Sequence, residues 1–164
     1  MILAGGWVYG RFDELEKDIA CSVLAELLCS SNESPLKRAI LEKGLAEDVE
    51  LGKIDGIQQS YLKLVIRNTS EEKKEEVWDT IYTTLKTLAS QGMDHKRLES
   101  ILSRMEFNMR EKESGSFPEG VMHAIQMLES CLYGGDPAQN LCYNQVFSSI
   151  RNKIETVSYT HLRA

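Results

Sequence analysis

The 164 residues carry 19 Lys and Arg against 25 Asp and Glu, a formal net charge of −6, with 42% apolar and 27% charged residues. That length is ordinary for one domain with a sizeable core, and that composition excludes collagen-like, disordered and strongly basic nucleic-acid-binding classes. No apolar run reaches the roughly 18 to 20 residues of a membrane helix, and Met1-Ile2-Leu3-Ala4 has no basic segment before it.

The elements follow in chain order. Met1 to Tyr9, with Trp7, Val8 and Tyr9, reads as a strand, with Gly5-Gly6 marking a bulge or a close backbone approach. Asp13 and Glu16 form a cap pair for a helix whose apolar face is Leu15, Ile19, Val23, Leu24, Leu27 and Leu28, ending near Ser30. Ser34-Pro35 opens a short helix with Leu36, Ile40 and Leu41 inward and Gly44 just past its end. Residues 49–56 mix acidic residues with Gly52 and Gly56 and are assigned no element, whereas 57–67 alternate, Leu62, Leu64 and Ile66 against Lys63, Val65 and Arg67, as a half-buried strand does.

Thr69 to Glu72 reads as a capping box for a long helix with Val77, Ile81, Leu85 and Leu88 inward, stopped by Gly92. The adjoining run Glu71 to Glu76 has opposite charges at helical spacing and reads as a solvated face. Asp94 caps the next helix, with Leu98, Ile101, Leu102, Met105 and Met109 inward, which stops before Ser114-Gly115. A third box, Ser116 to Glu119 with Pro118 in the first turn, starts a helix whose face is Val121, Met122, Ile125, Leu128 and Leu132, ending at Gly134-Gly135. Asp136-Pro137 opens a last helix with Leu141, Val146, Ile150 and Ile154 inward. Strands early and helices late predict an α+β fold, an antiparallel or mixed sheet with helices packed on one face.

Candidate chemistry is sparse. The cysteines Cys21, Cys29, Cys131 and Cys142 have no CxxC spacing and are read as small, semi-buried thiols of a reducing compartment, either bacterial cytoplasm or an organelle matrix. His95, His123 and His161 form no HExxH or HxxEH motif, and no GxSxG, P-loop or GxGxxG occurs. His123 and Cys131, about two helical turns apart, are the one conceivable base and nucleophile, and their spacing is read as core packing. Catalytic, cofactor and metal residues are therefore each expected to be none.

The stretch Ile101 to Pro137, ILSRMEFNMREKESGSFPEGVMHAIQMLESCLYGGDP, resembles the insulinase and pitrilysin superfamily of zinc peptidases in its presequence protease branch. The match is carried by Met105-Glu106-Phe107 before Arg110-Glu111, by the loop Gly115, Ser116, Phe117, Pro118 and Gly120, and by Tyr133-Gly134-Gly135-Asp136-Pro137. Leu27-Leu28, Ser34 to Lys37 and Gly44-Leu45 follow the same family's second-domain pattern upstream.

The resemblance implies a parent of two hinged halves, each of two similar domains, closing around a peptide, with zinc held by HxxEH and a distal Glu in the first domain. It puts residues 1–156 at the non-catalytic second domain of the first half, truncated at both ends, with the catalytic domain, the second half and peptide substrates as partners, and neither nucleic acid nor membrane. The implied role is a chamber wall, with Trp7, Tyr61 and the 62–67 strand as an available surface; the alternative is a free-standing peptide-binding or scaffold domain. Residues 157–164 resemble a translated sequencing adapter and are set aside as non-native.

Overall fold

The computed structural model describes residues 1–111 and 118–162, those from 156 onward as backbone only. Three strands, β1 (Ile2–Arg11), β2 (Asp48–Ile54) and β3 (Gln59–Arg67), form an antiparallel sheet in the order β1-β3-β2. The helices are α1 (Leu15–Cys29), α2 (Pro35–Glu42), α3 (Lys74–Gln91), α4 (His95–Glu111), α5 (Glu119–Cys131) and α6 (Asn144–Leu162).

The alternation in β3 sets the layering. Leu64 and Ile66 lie opposite Gly5 and Leu3 on one side and Leu51 and Val49 on the other, and together with residues of α1, α2 and α3 they close a core around Ile40, Val77 and Ile81. The other sheet face presents Ile2, Ala4, Gly6 and Val8 beside Tyr61, Lys63, Val65 and Arg67, and none of the described helices lies over it. Trp7 falls on the helix side, its ring meeting Trp78 of α3 edge-on, so it does not share the open face with Tyr61.

A second core lies on the far side of α1. Ile19, Val23 and Leu27 pack against Leu98, Ile101 and Leu102 of α4 and Phe147 and Ile150 of α6, while Leu24 and Leu28 of the same helix serve the sheet core. A helix apolar on two faces is a central helix, and α1 separates the two cores.

Several expectations are corrected. Residues 48–54 form β2, hidden in sequence because Asp48, Glu50 and Lys53 interrupt its apolar pattern at an edge. The bulge falls at Tyr9, between Val8 and Gly10, and not at Gly5-Gly6. Gly5 is instead a close approach: a Cβ there would sit 2.7 Å from Cη2 of Trp78. Helix α1 begins after Glu14 without a side-chain cap, since the Glu14 carboxylate accepts from the Arg11 amide and the Lys17 ammonium. Residues 71–73 form a 3₁₀ turn before α3, and the Thr69 hydroxyl is buried without a partner, so no capping box forms there. Pro118 occupies the N-cap of α5 and not its first turn, and Asp136-Pro137 leads into a 3₁₀ turn, Gln139–Leu141, before α6.

The largest departure is α5. Its apolar face is exposed: Val121 45%, Ile125 49%, Leu128 56% and Leu132 65%. The helix rests on the following 3₁₀ turn and reaches neither core, so periodicity located the helix correctly while its burial did not follow.

Candidate functional site

The sequence-derived loop is divided. Gly115, Ser116 and Phe117 lie outside the described residues, whereas Pro118 and Gly120 are exposed at the start of α5. The histidine and cysteine pair is not assembled for chemistry: His123 and Cys131 are on the same helix, about 12 Å apart along its axis. Cys29 is buried and its thiol is pushed up to about 12 by that burial, Cys21 is half-buried and also raised, and Cys131 and Cys142 are exposed. The last two contradict the semi-buried expectation, because α5 and the turn after it lack the packing that would cover them.

The structure assembles a polar cluster that sequence reasoning missed. Lys53 projects from the helix side of β2, and its ammonium donates to Asp18 Oδ2 of α1 at 2.5 Å and pairs with Asp55 Oδ2 at 2.7 Å. Tyr9, turned at the bulge, donates its hydroxyl to Asp18 Oδ1 at 2.5 Å. Glu129 of α5 stands over Gly56, where a Cβ would lie 3.5 Å from its Oε1. Asp18, Lys53, Asp55 and Glu129 border a cavity of about 170 Å³ that Phe12, Met109 and Asn140 also line. The readable signal was a charged residue at an inward position of a strand, invisible until that strand is recognised.

The electrostatics follow from the arrangement. Burial opposes the charge on Lys53, but the hydrogen bonds it donates to Asp18 and Asp55 outweigh it and hold the ammonium above its ordinary value. Burial followed by the Asp18 carboxylate raises the Tyr9 phenol, so it remains a donor at any physiological pH. Burial, then the charge of Asp55, raises Glu129. The cluster is a structural ion-pair knot joining α1 to the outer strand, and it contains no activated nucleophile.

Zinc does not suit this donor set. Among the described residues no group of three His, Cys, Asp or Glu is placed to hold a metal ion, and the cluster's Asp18 and Asp55 already bind the Lys53 ammonium. No helix among the described residues is long and apolar enough to cross a membrane.

Comparison with known proteins agrees with this picture. The chain is 32% identical over 148 residues to Protein HypA of Clostridium perfringens and 32% identical over 142 residues to presequence protease 1, chloroplastic/mitochondrial, of Arabidopsis thaliana. These alignments cover 90% and 86% of this chain but 15% and 13% of those proteins, so the chain spans about a seventh of its relatives' length. In fold it matches an inactive peptidase domain from Bordetella parapertussis, assigned to a zinc protease, with a TM-score of 0.67 at 16% identity over 94% of this chain and 75% of that one. The sheet backed by helices accords with that fold, and the match of residues 2–105 to the peptidase M16 inactive domain makes this chain a member of that family, which belongs to the zinc metallopeptidases.

Proposed function

We propose that this chain is the second, non-catalytic domain of the first half of a presequence-protease-like zinc metalloendopeptidase that degrades short, unstructured peptides. Residues 1–156 form the domain in this reading, and 157–164 are a translated adapter appended to it. The zinc belongs to the parent's catalytic domain, and this domain supplies part of the chamber wall, with the parent's second half closing over the peptide. The parent works in a bacterial cytoplasm or an organelle matrix. The loop Gly115 to Gly120 is assigned to the family motif, with no chemistry given to it.

The observation that carries the reading is the bare sheet face. A strand face with Tyr61, Lys63, Val65 and Arg67 unshielded by the described helices suits a surface that meets peptide or a neighbouring domain, in a chain whose family is the inactive domain of a peptidase. Recovery of the full reading frame tests it: an in-frame HxxEH encoded upstream is expected. The reconstituted parent should cleave unstructured peptides, and this chain alone should not. Absence of that motif in the recovered frame would leave a free-standing binding domain instead.

A further inference from the structure

Helix α5 meets the body of the chain at its C-terminal end and along one side. At that end Gly134 turns the backbone at φ +79°, and Gly135 packs so closely that a Cβ would sit 2.4 Å from Ser130 Oγ and 2.6 Å from Phe12 Cε2. The rings of Phe12 and Tyr133, 5.3 Å apart, fix the same corner. Along its side α5 supplies Gln126 and Glu129 to the wall of the polar cavity, with the Glu129 side chain lying across Gly56. The charges around that cavity balance without Glu129. Arg11 of β1 and Lys53 of β2 are its two cations, Asp18 of α1 and Asp55 of the turn after β2 are two carboxylates, and α4 and the turn after α5 add only Met109 and Asn140. Both cations are already paired, Lys53 with Asp18 and Asp55, and Arg11 with Asp13. An ionised Glu129 therefore closes onto cations already in use, with Asp55 beside the glycine beneath it, whereas a protonated Glu129 adds no charge.

We propose that α5 is a lid on this cavity, pivoting at the corner of Ser130, Tyr133 and Gly135, and that a proton on Glu129 closes it. Protonated, Glu129 lies on Gly56 as in this structure; ionised, it is driven off by Asp55 and the helix turns outward about its fixed end. The displacement grows along the helix, because Glu119 lies ten residues, about 15 Å, beyond Glu129. The coupling is reciprocal: closure tightens the proton on Glu129 by the same factor by which that proton tightens closure. The raised Glu129 is that coupling seen from the proton's side. This device goes beyond the role proposed for the parent peptidase and does not depend on it.

Nitroxide labels at I125C on α5 and K63C on β3, both exposed positions, read the lid by pulsed electron-electron distance measurement in the full chain carrying C21A, C131S and C142S, with Cys29 buried and unlabelled. Between about pH 4 and about pH 8 the long-distance component is expected to rise about threefold. E129Q keeps His123 on the same helix and should hold the short distance at both pH values. D55N, at a half-exposed side chain, should shrink the rise. The same distance distribution at both pH values overturns the proposal. A rise that persists in E129Q also overturns it, assigning the motion to His123 or to general loosening, and a rise that D55N leaves whole overturns the repulsion that drives it.

Discussion

Lys53 is 22% and Asp18 20% exposed in their side chains, so neither is fully screened, and removing Lys53 leaves the Asp18 carboxylate, still bonded by the Tyr9 hydroxyl, without its countercharge. K53M is expected to destabilise the fold by about 1–3 kcal/mol, and D18N in the same chain should recover part of that loss in a urea-melt double-mutant cycle. The sign with pH follows from the raised Lys53: its stabilisation is fully present below the ordinary lysine value and is lost as pH rises through the folded one. Glu129 works in the opposite sense. Its proton is held more tightly in the folded state, so stability falls as pH climbs from the ordinary glutamate value to the raised one. E129Q should therefore raise the melting temperature at pH 7 by about 1–3 °C, discounted for partial exposure, with the gain vanishing near pH 4. Thiol chemistry is graded by burial: maleimide at neutral pH should label Cys131 and Cys142 in the native chain and reach Cys29 only after unfolding.

At the scale of the element, α4 and α5 make an instructive pair, each amphipathic in sequence and opposite in burial. The Asp94 carboxylate accepts from the amides of Lys96 at 2.9 Å and Arg97 at 3.3 Å, so α4 is capped as its sequence predicts, and D94A should cost about 1 kcal/mol. Leu102 of α4 has no exposed surface and lies in the α1, α4 and α6 core, so L102A should cost about 2–5 kcal/mol in a urea melt. The equivalent test on α5, I125K, should change stability by less than about 0.5 kcal/mol, because half of Ile125 is already in water. The same change should lower binding of a hydrophobic dye, since it breaks the exposed stripe from Val121 to Leu132. Periodicity reports that a face is apolar, and the partner that covers it lies elsewhere in the fold or in another chain.

For the whole molecule, α1 is the organising element. Its two apolar faces tie the sheet core to the α4 and α6 core, and its Asp18 ties it to β2 through Lys53. The α+β class, the order of the helices, the short helix at Ser34-Pro35 with Gly44 at φ +62°, and strand β3 were legible in sequence, because each rests on local signals: caps, turn residues and periods of 3.6 or 2. Kinship to a peptidase family was legible too, because it rests on the order of short motifs along the chain. Strand β2, the place of the bulge, the side of the sheet on which Trp7 lies, the knot of Tyr9, Asp18, Lys53 and Asp55, and the exposure of α5 were decided only by tertiary structure. Each depends on contacts between residues far apart in the chain, and no local pattern records which apolar face finds a partner or which charge is drawn inward to meet another.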